Sequence, residues 1–439
     1  MKKGRRVALR WKGIVSVAVG VGVFLTCLLP LRALMNYHEE HHLFRWTSYY
    51  LREQWSSWEG VGEFFVSLIT QFFYVPWLGA AIVALLVVAL QWLTWRMLKK
   101  LRCPSWLYPL SFVPALLLFV YAMVPDRYWN DAAFREIVEY DYLVRTQQWE
   151  TIVNKPDTEQ PLSEQAVWCT NYALAMRGQL ADFLFFYHQT GPQGLLTDVQ
   201  QREPLSYFAL SNIYLQLGLV NNAERMAFDA KQYIPHNHKS GRLYRRLAET
   251  NLINGNYVIA AKYLRMLQST LFYGQWARRQ LDHLGDEAFM DREFQRQRGI
   301  RLTEWPSLIP PSKDELLLAL VKRNPENTLA MDYLLAYALL QLDGDKVARY
   351  MTLAMGEKGG TRRVPRAVQE CLYGNRLMHP DEQPLLDIKV DEDVEIVTKA
   401  FFHTMDETKD LSAPQLSTPP LSQTYWYYHS QMMLQHLTP

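Results

Sequence analysis

Three apolar stretches crowd into the first 125 residues, and about 300 residues of polar, helix-patterned sequence follow. This order describes hydrophobic stems carrying a water-soluble body. Composition agrees: hydrophobic residues make up 49% of the chain, yet the mean hydropathy is slightly negative, so the apolar residues are unevenly spread. At 439 residues the chain exceeds one ordinary domain, and what remains beyond the stems can still bury a large core or an extended repeat array. A net charge of +2 gives no electrostatic case for a nucleic-acid partner. Cys27, Cys103, Cys169 and Cys371 have no CxxC-type neighbours, which argues against a zinc site or a disulfide framework and leaves a single Cys169–Cys371 bridge open.

The first apolar segment, 13–35, is preceded by Lys2, Lys3, Arg5, Arg6, Arg10 and Lys12 and carries no charge before Arg32. Roughly 20 apolar residues cross a ~30 Å hydrocarbon core as a helix. The stretch is longer than the apolar region of a signal peptide and has no small-residue exit site, so it reads as an uncleaved span. The second segment, 63–98, is longer than one crossing needs. Pro76 divides it into an interfacial approach, with Gln71 and several aromatics, and a true span bounded by Trp77, Trp92 and Trp95. A third span covers 106–124, with Pro109 and Pro114 inside it.

Basic residues cluster in the tail, 1–12, and in the hinge, 99–105, whereas the 36–62 loop has only Arg45 and Arg52. The positive-inside rule then places the tail and hinge in the cytoplasm and the loop outside, and three crossings deliver 125–439 to the extracytoplasmic side.

From 125 to 410 the pattern is that of amphipathic helices separated by Gly, Asn and Pro, without strand-like alternation. The best unit is Tyr207, Ser211, Tyr214, Gly218, Val220, Ala223, Ala227, Ala230 and Pro235, a tetratricopeptide-like pattern of small residues at the helix contact and a turn residue between helices. Weaker copies surround Gly255, Gly178, Gln147 and Asp343, and the early spacings wander between roughly 31 and 40 residues about the ideal ~34. The expected fold is all-α: three N-terminal transmembrane helices followed by a degenerate tetratricopeptide-like α-solenoid. Residues 411–439 form a Pro/Ser/Thr linker and a last helix opening with Tyr425-Trp426-Tyr427-Tyr428, aromatics that suit a plug for the end of the array.

Three stretches also carry a resemblance that covers the whole chain. They are Gln71-Phe72-Phe73-Tyr74-Val75-Pro76-Trp77-Leu78-Gly79, Asn171-Tyr172-Ala173-Leu174-Ala175 with Gly178-Gln179-Leu180, and Leu247-Ala248-Glu249-Thr250-Asn251-Leu252-Ile253-Asn254-Gly255. In them the chain resembles a family of uncharacterised membrane proteins of Bacteroides-type bacteria with N-terminal transmembrane helices and a helical-repeat C-terminal part. The resemblance implies an inner-membrane location with the soluble part in the periplasm. It implies no activity and no catalytic residues.

Candidate chemistry is sparse. His38, His41 and His42, with Glu39 and Glu40, offer imidazoles and carboxylates at helical spacing for a metal, but no second motif completes a coordination sphere, and a polar helix beside a membrane needs such residues to stay wet. No GxSxG elbow, HExxH helix or phosphate-binding glycine loop accompanies the Ser, His and Asp residues, so no catalytic residues are assigned and no cofactor is expected. The stronger signal is basic. Arg242, Arg245 and Arg246, with Glu249, fall on the first helix of a repeat, where guanidinium forks facing a groove could grip a carboxylate or phosphate; Asn212, on the first helix of the preceding repeat, would share that ligand.

The leading expectation is a non-enzymatic, membrane-anchored scaffold whose repeats bind a protein or peptide, an anionic one being the kind these arginines would suit. A subunit of an envelope transport or polysaccharide-export assembly is the first alternative. A membrane-attached hydrolase or transferase using His188, His236, His238 or His283 is the second.

Overall fold

A computed structural model describes residues 2–155, 161–197, 203–234, 239–303, 312–356, 363–383 and 386–437. Those residues are all helix, turn and loop, with no strand among them. Contacts divide the chain into two compact units. The first comprises Met1–Tyr142, Glu203–Leu205 and Ala227–Met290, and the second Leu143–Arg202, Ser206–Met226 and Asp291–Pro439.

In the first unit, prolines punctuate the apolar sequence. Helix α1 (Lys2–Leu28) stops ahead of Pro30 and the chain restarts as α2 (Arg32–His41), because the pyrrolidine ring disfavours helical backbone at the residue before it. Helices α3 (Ser48–Gln54) and α4 (Trp58–Thr70) begin at Thr47 and Ser57, whose hydroxyls accept from the Tyr50 and Gly60 amides. A 3₁₀ turn, Gln71–Tyr74, leads to α5 (Pro76–Lys100), with Pro76 at the first helical position, where its missing N–H costs nothing. The third apolar stretch runs as 3₁₀ helix over Ser105–Phe112, around Pro109, and as α6 over Val113–Met123. Three helical segments, Trp11–Leu28, Pro76–Lys100 and Ser105–Met123, are long and apolar enough to cross a membrane.

These segments pack through Val23, Cys27, Ala80, Val83, Ala84, Val87 and Ala115, and expose Ile14, Val17, Leu85, Leu86, Leu117 and Leu118. A polar seam joins all three. Gln91, buried in α5, donates through Nε2 to Ser111 Oγ (2.8 Å), Ser111 donates to the Tyr108 carbonyl (2.6 Å), and the Tyr108 hydroxyl shares a 2.6 Å hydrogen bond with Ser16 of α1. Side-chain hydrogen bonds of this kind hold apolar helices in register where hydrophobic burial has no drive. After the short helix α7 (Asp126–Asn130) comes α8 (Ala132–Arg145). The unit also holds the helices Gly241–Asn254, Tyr257–Leu267 and Gly274–Asp282.

In the second unit the Thr328–Leu340 helix is buried almost all round, through Leu329, Met331, Tyr333, Leu334, Leu335 and Leu339. At 13 residues it is too short to cross a bilayer, so its apolar character serves a protein core. Trp168, Cys169, Tyr172 and Tyr214 are also core residues. Cys169 and Cys371 are both buried and both free. The final helix, Tyr425–Leu437, packs on Arg366–Met378: the Trp426 indole donates to the Glu370 carbonyl (2.7 Å), the Tyr428 hydroxyl donates to the Leu340 carbonyl (3.2 Å), and a Cβ at Gly374 would run into the Trp426 ring. Tyr425, Trp426 and Tyr428 are buried.

One local device, seen first at Arg102, where the Cys103 amide bonds to the Leu98 carbonyl (3.1 Å), recurs beyond the third apolar stretch. At Gln147, Gly178, Gly218, Gly255 and Leu342 the backbone takes positive φ. In each case the next residue's amide bonds to the carbonyl five positions back: Gln148 to Leu143, Gln179 to Leu174, Leu219 to Tyr214, Asn256 to Asn251 and Asp343 to Ala338, at 2.8–3.3 Å. This is the Schellman closure, in which one left-handed residue caps the last free carbonyls of a helix and turns the chain. A second helix starts within three residues every time, at Trp149, Leu180, Val220, Tyr257 and Gly344.

Candidate functional site

The histidine-acid cluster after the first apolar helix and the basic helix Gly241–Asn254, about 200 residues apart in sequence, meet inside the first unit. Glu40, at the end of α2, accepts from Arg242 Nη1 at 2.7 Å and from Asn36 Nδ2 at 3.0 Å. The same Nη1 reaches both oxygens of Asp141 on α8, at 2.9 and 2.8 Å. Glu39 accepts from the Tyr273 hydroxyl at 2.8 Å. The Glu40 and Asp141 side chains are 0% and 1% exposed and Arg242 is 11% exposed, so this is a buried ionic cluster in which two carboxylates share one guanidinium. Gly241, which opens the helix, lies where a Cβ would strike the Tyr273 ring.

Such clusters are rigid. Taking charges out of water is costly, and mutual attraction repays that cost only while every partner stays in place. The neighbouring aromatics add a second bond between the same parts: Tyr74, beside the start of α5, stacks on Phe272 with centroids 5.1 Å apart and meets Tyr273 edge-on.

The other basic residues of the helix are also engaged. Arg245 Nε donates to Glu249 Oε1 at 2.9 Å, and its guanidinium lies 5.1 Å from the Trp276 ring centre. Arg246 has interaction partners of its own. Asn212, half-buried, falls in the second unit, whereas Arg242, Arg245, Arg246 and Glu249 fall in the first.

The histidines serve the backbone. His38 Nε2 donates to the Met123 carbonyl (2.8 Å), and burial, with His41 nearby, lowers its pKa to about 4 against the opposing pull of that carbonyl. His41 Nδ1 donates to the Tyr37 carbonyl (2.7 Å) with its ring against Tyr37, and His42 Nδ1 lies 3.7 Å from Glu63. Among the described residues no group of three His, Cys, Asp or Glu side chains could hold a metal. His188 is exposed, His283 bonds the Arg279 carbonyl and stacks on Phe289, and His236 and His238 lie outside the described residues.

Sequence reasoning missed Asp141 and Tyr273. Asp141 did leave a signal: an acid between Tyr140 and Tyr142 in an amphipathic helix sits on a face that has to be buried, and a buried carboxylate needs a cation. Tyr273 left none.

Three apolar helices and a helical body with a buried ionic cluster define an all-α protein of membrane-inserting composition. The chain belongs to a family of unknown function, DUF6057, whose model matches residues 7–128 and 122–431. No curated protein and no solved structure matches it.

Proposed function

We propose that the chain is a scaffold anchored in a bacterial inner membrane by three helices, N-terminus in the cytoplasm, whose tetratricopeptide-like repeats bind a protein or peptide in the periplasm without catalysis of their own. The basic tail and hinge support that orientation. Beyond residue 125 one helix-closing turn occurs five times among the described residues, and this supports a repeat reading, since each of these turns separates a pair of helices and stacked pairs present a long recognition surface.

The observation that carries the proposal is the Glu40–Arg242–Asp141 cluster. It fastens a repeat helix to the first helix beyond the first span, so within this unit the anchor and the repeat helices move together. A tether that holds its recognition surface rigidly raises the effective concentration of a membrane-bound partner. Arg242 and Arg245 already hold Glu40, Asp141 and Glu249, which leaves them little charge for an anionic polymer and favours recognition of a protein or peptide.

The test is photo-crosslinking in intact cells from exposed positions of the repeat helices, such as Val258, which is 87% exposed. The expected result is one recurrent adduct from a periplasmic partner. The absence of any adduct along the repeat faces, or labelling of Lys262→Cys only by reagents that enter the cytoplasm, overturns the proposal.

A further inference from the structure

Helix α4 wears its polarity inside out. Ser67 and Thr70, and Gln71 just beyond, are 5–7% exposed, whereas Trp58, Phe65 and Val66 are 92%, 51% and 42% exposed. Trp58, Gly62, Phe65 and Val66 recur at the spacing of one helical face and are exposed, so they form a single outward stripe, while Ile69 at its end turns in to pack on the core of the apolar helices. Most of the inward polar atoms are bonded: Thr70 Oγ1 donates to the Val66 carbonyl (2.9 Å), Gln71 Nε2 donates to the Leu68 carbonyl (2.9 Å), and Ser67 bonds the Tyr50 hydroxyl, while Gln71 Oε1 is buried without a hydrogen bond. Phe64 packs edge-on on the buried Phe44 and touches the rim of the exposed Trp55. In water this arrangement is the wrong way round, and a contiguous apolar face of this kind marks an interaction surface.

We propose that this stripe, with the exposed Trp46, Tyr49 and Trp55 beside it in sequence, docks on the lipid bilayer itself at the level of the headgroups, on the side where α5 begins. Two observations select lipid over a protein partner. First, the face carries Trp46, Tyr49, Trp55 and Trp58, side chains of the types that concentrate at membrane interfaces because they join an apolar ring to a polar edge, with Phe65 and Val66 as its purely apolar part. Second, it is continuous with the membrane segment: the Gln71–Tyr74 turn joins α4 directly to Pro76 and the exposed Trp77, the first turn of the second span. A helix lying in the interface there fixes the depth of that span, as in-plane amphipathic helices do. The inference rests on membrane insertion of the three apolar helices and is independent of what the repeats bind.

The experiment uses the full chain with Cys103→Ser, reconstituted in phosphatidylcholine–phosphatidylglycerol vesicles and carrying one environment-sensitive fluorophore on a cysteine at Phe65 or Val66. Labels at Leu85, exposed on α5, and at Lys262, exposed on a repeat helix, report lipid and water. Nitroxide-bearing lipids are expected to quench Phe65→Cys and Val66→Cys several-fold more than Lys262→Cys, with aqueous iodide showing the reverse order. A Ser67→Cys variant is expected to resist labelling. Iodide quenching at Phe65 equal to that at Lys262 overturns the inference, as does shielding of Phe65 from both quenchers, which would show protein covering the stripe. Loss of lipid quenching at Leu85 would instead overturn membrane insertion itself.

Discussion

Each unit buries carboxylates beside an arginine, and the two do so in different ways. In the first, Glu40 and Asp141 share Arg242, and the cation sits inside with them. In the second, Glu370 is also buried, but Arg366 reaches only Oε1, through Nε at 3.0 Å, while its Nη1 pairs with the exposed Asp393 at 2.6 Å. The other oxygen accepts from the Tyr425 amide at 2.8 Å. Burial dominates there: it raises the Glu370 pKa to about 7 against the Tyr425 amide and Arg366, with Asp393 adding to the rise. The same burial drives the adjacent Cys371 thiol up to about 12. A buried acid is therefore a lock when its cation is buried too, and a pH-sensitive latch when the cation is shared with the surface.

The comparison breaks first at Arg242. Arg242→Met removes the guanidinium that the two buried carboxylates share and is expected to cost about 3–5 kcal/mol, read from urea unfolding of the full chain in detergent. Adding Glu40→Gln and Asp141→Asn removes the uncompensated charge and should restore part of the loss. A single-variant cost below about 1 kcal/mol would show that the cluster is not a lock.

Glu370 tests the other half. Its folded pKa stands above its ordinary value of 4.5, so the folded state binds the proton more tightly. The stability it contributes is complete below pH 4.5 and is lost as pH rises through about 7. The shift corresponds to about 3 kcal/mol, at roughly 1.4 kcal/mol per unit. Hydrogen exchange of the Tyr425–Leu437 helix, corrected for intrinsic rates, should show protection falling between pH 5 and pH 8, and Glu370→Gln should flatten that dependence. A flat wild-type profile would make Glu370 an ordinary structural acid.

Much of this frame was legible in the sequence. The all-helical class and the three apolar helices follow from length, periodicity and composition, which local physics fixes. Turn glycines at 178, 218 and 255 announce their left-handed backbone, whereas Gln147 and Leu342 adopt the same conformation without the residue that advertises it, so the first and last turns of the series are faint. The site was legible only in pieces. Arg242, Glu40 and the histidines stand out as residue types, but nothing local tells an arginine facing a groove from one facing a buried carboxylate of a distant helix. That distinction belongs to tertiary packing, and it decides whether such a residue binds a partner or holds the fold.

Arg245 sharpens the point, because it is the same residue type one turn along the same helix. It pairs with Glu249 at i,i+4, and its side chain is 40% exposed against 11% for Arg242. Water reaches the arginine end of the pair, although Glu249 is only 18% exposed, so the bond is screened more than one buried at both ends and gains less over its hydrated alternative. Helix-surface pairs of this spacing contribute about 0.3–0.5 kcal/mol, and loss of the guanidinium's contact with the Trp276 ring adds a comparable amount. Arg245→Ala is therefore expected to cost no more than about 1 kcal/mol in the same urea titration, several-fold less than Arg242→Met. If the two variants cost the same, burial is not what separates a structural arginine from a surface one in this helix, and the contrast between lock and latch loses its physical basis.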